Sequence, residues 1–216
     1  MAPKITLYGL ARIPFTEKCR RALVLKGLPF ELCEPAGPED YARWSPKTGL
    51  LPVLTIDDEL VSDSTDILLR LEELWPEPPL LSPDPVVAAQ QRHLENWADE
   101  SFLWHYQEWL RASGGTGAPQ PPAPRRGLRG LLRPRPKRAP QIAELLRSLE
   151  ARLDDLVNFL GGRPFFHADQ VSMADLTVYS MLRSLQMDQI PGAAALVAER
   201  PRLVAFMLRV EEATGG

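Results

Sequence analysis

Cysteine is scarce in this chain. Among 216 residues there are two, Cys19 and Cys33, and they fall in different expected elements. That excludes a disulfide-stapled scaffold and makes a reducing, cytoplasmic compartment the expectation. Histidine is equally sparse. His93, His105 and His167 are scattered with no metal-ligand spacing, so no metal site is expected. No apolar run approaches the roughly 20 residues of a membrane span. The start, Met-Ala-Pro-Lys-Ile-Thr-Leu-Tyr, has no apolar segment of the kind a secretory signal needs. Basic charge is also in short supply, with 25 Lys and Arg against 28 Asp and Glu. Seven of those basic groups lie in residues 113–140, which hold no acid, leaving 18 against 28 elsewhere. Such a body repels nucleic acid. There is no internal repeat.

What is present divides at a cluster of prolines. Before it, Ile5-Thr6-Leu7-Tyr8 reads as a strand and residues from Thr16 as a helix, with Cys19, Ala22 and Leu23 on its apolar face and Gly27 ending it. Pro29 to Cys33 alternates as a second strand. Pro38 to Trp44 is a short helix or an irregular turn. Pro52 to Ile56 and Glu59 to Val61 form a hairpin around Asp57-Asp58, and Ser62, Asp63 and Ser64 offer capping chemistry to a helix ending at Leu74. The order is β-α-β, a variable piece, then β-β-α. Pro76, Pro78, Pro79, Pro83 and Pro85 follow within ten residues, which marks a stiff linker.

Everything after the linker has helical spacing. Residues 86–111 carry Leu94, Trp97, Ala98, Phe102, His105 and Trp109 on one stripe, with Leu103, Trp104 and Tyr106 off it. Residues 113–140 contain seven prolines, five glycines and the basic groups, and read as a loop-like insertion. A polyanion or a membrane surface is the partner its charge would suit; a solvated loop is the plainer reading. Residues 142–160 form the cleanest amphipathic helix, stopped by Gly161-Gly162. Ser172-Met173-Ala174-Asp175 is a capping box opening the next helix. Short helices near 193–199 and 202–212 complete the chain.

One stretch of the first half, Gly49-Leu50-Leu51-Pro52-Val53-Leu54, sets a proline in a strand-like run. Proline cannot donate to a sheet ladder. The strand must begin at Pro52 or turn a cis corner there, and either way the Leu51 backbone lacks a sheet partner. An extended peptide could pair with it.

Four places together are similar to the cytosolic glutathione transferases. Pro14-Phe15-Thr16-Glu17-Lys18-Cys19-Arg20-Arg21 resembles that family's opening of the first helix, and Leu50-Leu51-Pro52-Val53 its cis-proline corner. Asp63-Ser64-Thr65-Asp66-Ile67 resembles its acidic-Ser signature, and Gly162-Arg163-Pro164-Phe165-Phe166 with Ser172 and Asp175 its buried capping box. The resemblance implies an α/β thioredoxin-like domain over 1–75, a linker over 76–85 and an all-α domain over 86–216. It also implies glutathione as co-substrate, a homodimer, and conjugation to a small apolar electrophile. Leu51 and Pro52 would hold the cysteinyl part of glutathione, and Asp63 and Ser64 its γ-glutamyl end. That assignment suits the chemistry: a helix N-terminus favours a carboxylate, and Asp63 favours an ammonium.

The chain departs from the pattern at one residue. Ile13 stands where the family places a Ser or Cys before the proline, and it has no donor for a thiolate. Thr16, Arg12 and Tyr8 are the side chains that could substitute. The second-substrate pocket would take Tyr8, Ala11, Trp104, His105 and Tyr106. The competing reading is a non-catalytic module on the same fold, which Ile13 favours; a thiol-dependent peroxidase or dehalogenase is a third. A dithiol mechanism lacks its cysteine at positions 13 and 16.

Overall fold

The computed structural model describes residues 3–113, 138–187 and 190–215. Most of the basic insertion, and with it any polyanion or membrane contact it makes, lies outside the described residues. The first half contains β1 (Ile5–Tyr8), α1 (Pro14–Leu25), β2 (Glu31–Cys33), α2 (Pro38–Trp44), β3 (Val53–Ile56), β4 (Glu59–Ser62) and α3 (Ser64–Leu74). The second contains α4 (Pro85–Ser113), α5 (Arg138–Leu160), α6 (Met173–Gln186), α7 (Ala193–Ala198) and α8 (Pro201–Ala213).

The sheet order is β2-β1-β3-β4, with β1 parallel to β2 and antiparallel to β3, and β3 antiparallel to β4. Alternation along β1 sends Ile5 and Leu7 into the core shared with α1 and α3, where Leu7, Leu23, Leu54, Ile67, Leu68 and Leu71 are fully buried. Thr6 and Tyr8 face the other side, where the Tyr8 ring lies 4.8 Å from that of Trp44 on α2. Pro52 stands just outside β3, as a residue without an N–H must, and the Leu51–Pro52 bond is cis.

The halves join through α1 and α6. Arg21 is buried there; its guanidinium donates to Tyr179 Oη at 2.9 Å and to Thr214 Oγ1 at 2.8 Å, and to Glu17 on its own helix at 2.9 Å. Tyr179 donates on to Glu211 at 2.8 Å. The proline-rich stretch is irregular, as its composition predicts, yet it is packed rather than free-standing. Leu80 is 1% exposed. Glu72 accepts the Leu80 N–H at 2.8 Å, and Met173 N–H donates to the Leu80 carbonyl at 2.8 Å, tying the stretch to both halves. In the helical half the capping box closes as its sequence predicts. Asp175 is fully buried and accepts from Phe166 N–H, Ser172 N–H and Ser172 Oγ at 2.6–2.8 Å. Burial pushes its carboxyl up to about 7 against those three bonds. No helix among the described residues is long and apolar enough to cross a membrane.

Candidate functional site

Register alone gathers the site. Tyr8 pairs with Val53, and Val53 pairs with Ser62. One step along, Pro52 and Leu51 stand between the Gly9 loop on one side and Asp63 on the other. α1 follows the first and α3 the second, so two helix N-termini flank Leu51 at one edge of the sheet. The Leu51 N–H and C=O take no hydrogen bond among the described residues.

Asp63 is the most unusual residue of this edge. Its φ is 78° with ψ 133°, a conformation that is costly for any residue with a Cβ. Its Oδ1 accepts the Thr65 N–H at 2.8 Å and caps α3, while the carboxylate remains exposed. Ser64 begins α3 and is 5% exposed. The edge therefore offers a carboxylate, a helix N-terminus and a free peptide unit side by side.

Facing it, α1 begins with Ile13 as N-cap, and no side chain caps it. Proline at the next position has no N–H, and the Phe15 N–H takes no partner among the described residues. Thr16 is the third residue of α1, inside its first turn, 1% exposed and against Gly9. A Cβ on Gly9 would come within 2.4 Å of Thr16 Oγ1, so glycine is what permits that approach. Arg12 is exposed on the loop, and Ala11 donates its N–H to Glu34 at 2.7 Å, which fixes the loop to β2's end. Cys19 is fully buried, and burial raises its thiol well above the ordinary range, so it offers no nucleophile.

A buried charge cluster lies behind this edge. Lys18 Nζ donates to Glu95 at 2.7 Å and to Asp99 at 2.6 Å, both on α4. Thr65 Oγ1 also donates to Glu95, at 2.8 Å. Burial opposes the Lys18 charge, but Asp99 and Glu95 outweigh it and its pKa is raised. Asp99 is pushed up to about 6, by burial first. Sequence reading passed over this cluster. The signal was two acids four residues apart beside the apolar stripe of α4, an arrangement that repels unless a cation bridges it.

The pocket expectations for α4 divide. Tyr106 falls on the Glu95–Asp99 face, seven residues on from Asp99, and stacks on Phe102. Trp104 lies about two and a half turns from Glu95, hence on the opposite face, and is 50% exposed. His105 is buried at 2% exposure, with Nδ1 2.7 Å from the Ser101 carbonyl and Nε2 3.2 Å from Ser148 Oγ on α5. Neither Trp104 nor His105 faces the first half. A polar residue on an apolar stripe can be satisfied within the bundle, which is what happens to His105.

Residues 7–79 match the model of the glutathione S-transferase N-terminal domain, and residues 135–215 that of the C-terminal domain. A probable glutathione S-transferase GSTU1 of Oryza sativa subsp. indica is 34% identical over 208 residues, covering 91% of this chain and 80% of its own. Glutathione S-transferase U2 of Arabidopsis thaliana is 32% identical over 102 residues, 46% of this chain and 45% of that one. A solved glutathione S-transferase of Methylobacterium radiotolerans, in complex with glutathione sulfonate, superposes with TM-score 0.68 at 26% identity, covering 96% of this chain and 90% of that one. With both domain models matched in order, and a relative sharing a third of its residues along four-fifths of its length, the chain belongs to the glutathione S-transferase family.

Proposed function

We propose that the chain binds glutathione at this sheet edge and adds its thiol to a small apolar electrophile. Leu51 pairs with the cysteinyl peptide unit, beside Pro52. Ser64 and the N-terminus of α3 take the γ-glutamyl carboxylate, and Asp63 its ammonium. The observation that carries the reading is the unpaired Leu51 backbone standing next to an Asp63 held at positive φ. A strained, exposed acid beside an unpaired peptide unit suits a ligand with both peptide and zwitterionic ends.

Thiol activation falls to the loop and the start of α1. A thiol of pKa near 8.5 needs about 2.7 kcal/mol of preferential thiolate stabilisation to drop by two units. The Phe15 N–H at the positive end of α1 and the positive charge of Arg12 are the candidate sources. Tyr8 packs against Trp44, and Thr16, with its hydroxyl buried, acts only by shaping the wall under Gly9. Ala11 and Tyr106 line the electrophile's side. We assign the active form to a homodimer, checked by light scattering.

Titration calorimetry with glutathione tests the binding. Saturable binding that Asp63→Ala weakens tenfold or more is expected; no heat and no thermal shift would sink the reading. Ultraviolet titration of the bound thiol then separates enzyme from module. A bound pKa equal to the free value would favour the non-catalytic reading, which the donorless Ile13 cap supports.

A further inference from the structure

A cavity of about 390 Å³ opens where the end of α5 meets α8. Three arginines line it: Arg163 from the turn after α5, and Arg202 and Arg209 from α8. No acidic side chain lines it. None of the three forms an ion pair with any described residue, although elsewhere Arg20, Arg21, Arg70, Arg152 and Arg200 all do. Three like charges around one cavity repel one another, and no ion pair with a described residue offsets them.

Two of the three are also held in place. Arg163 Nη2 donates to the Phe159 carbonyl at 2.7 Å, and Arg209 Nε donates to the Pro164 carbonyl at 3.0 Å. Each guanidinium has five N–H donors in a fixed fork, so each keeps most of them free. Arg202 spends none on a described residue and stands in the first turn of α8, where the helix dipole is positive. The turn itself adds a donor. Gly161, at φ 57°, reverses the chain, and the Gly162 N–H on the cavity wall takes no partner among the described residues. The Arg163 charge is felt nearby: burial and that charge together hold His167 below its usual value.

We propose that this cavity is an anion site for a phosphate group, either free phosphate or the phosphate of a small metabolite ester. Planar forks from two elements, lining one cavity with a backbone N–H beside them, match a tetrahedral oxyanion with several acceptor oxygens. The site is independent of the glutathione reading. It lies at the far end of α5 and uses none of the residues at the sheet edge.

Isothermal titration calorimetry on the full chain tests it, with inorganic phosphate and glycerol phosphate as separate ligands and chloride holding ionic strength constant. One saturable site per chain, millimolar or tighter, is expected. Tighter binding of the ester would name a metabolite as the source, and tighter binding of phosphate the free ion; either supports the site. Arg202→Gln is exposed and leaves the fold alone. It should weaken binding about tenfold, equivalent to about 1.4 kcal/mol, as should Arg209→Gln. Arg147→Gln, an exposed charge elsewhere on α5, should leave binding unchanged. The proposal is overturned if no saturable heat appears, if chloride alone reproduces the effect, or if Arg147→Gln weakens binding as much as Arg202→Gln. Binding to anionic lipid vesicles that phosphate does not displace would overturn it too.

Discussion

Lys18→Met is the most informative single change away from the ligand site. Lys18 has no exposed side-chain surface, and its partners Glu95 and Asp99 are 1% and 18% exposed at the side chain. Glu95 Oε2 and Asp99 Oδ1 are buried and already have no hydrogen-bond partner. Removing the ammonium leaves two carboxylates facing each other away from water. Breaking a buried pair in this way costs about 3–5 kcal/mol. At roughly 2–4 °C per kcal/mol for a chain of this size, Tm should fall by about 6–20 °C. The pH dependence has a definite sign. Asp99, raised to about 6 by burial, favours the folded state when protonated, so its contribution is lost as pH rises from the ordinary carboxylate range through about 6. Without Lys18 the Asp99 carboxyl loses the charge that opposes burial and rises further, so the variant's deficit should be larger at about pH 7.5 than at about pH 4.5. Urea unfolding followed by tryptophan fluorescence measures both. Replacing all three residues by apolar ones should recover much of the loss, because the desolvation of charge then disappears. A Lys18→Met deficit below about 1 kcal/mol, or one that does not change with pH, would refute the reasoning.

Asp175→Ala strips acceptors from two buried N–H groups and one hydroxyl, and should destabilise the helical half by about 2–5 kcal/mol; an unchanged Tm by calorimetry would contradict this. Because burial sets the Asp175 carboxyl near 7, its contribution to stability should decline between about pH 4 and pH 7, and unfolding scans across that window should show a steeper drop in wild type than in the variant, which keeps only the Asp99 share. Gly9→Ala drives a methyl group into Thr16 and should cost about 1–3 kcal/mol, with Thr16→Ala relieving part of it on the Gly9→Ala background; an additive double variant would disprove the contact. In the native protein, iodoacetamide should label Cys33 well before Cys19, which is fully buried; equal labelling by mass spectrometry would count against that burial.

Local pattern determined much of this protein by itself. Helix periodicity, the Gly-Gly stop after α5 and the Ser172–Asp175 box each depend on neighbours a few residues apart, so the helical half and its capping were readable before any coordinates. The proline corner was readable for the same reason: Pro52 has no N–H, and a strand must start after it. The neighbours of Thr16, His105 and Trp104 were not readable, because position along a helix does not say which neighbour a side chain will meet. Thr16 reaches Gly9 only because β1 and α1 pack, and His105 finds Ser148 on α5, a helix 43 residues away in sequence. Only tertiary structure brought Lys18 to Glu95 and Asp99, and Arg163 to Arg202 and Arg209. Charges separated by tens of residues carry no local signature of their meeting. Strand register decided the candidate site as well, since the Tyr8–Val53–Ser62 alignment places Leu51 between two helix N-termini. Sequence supplied the chemical groups; hydrogen-bonded pairing of distant strands and the packing of α1 against α4 and α6 decided which of them stand together.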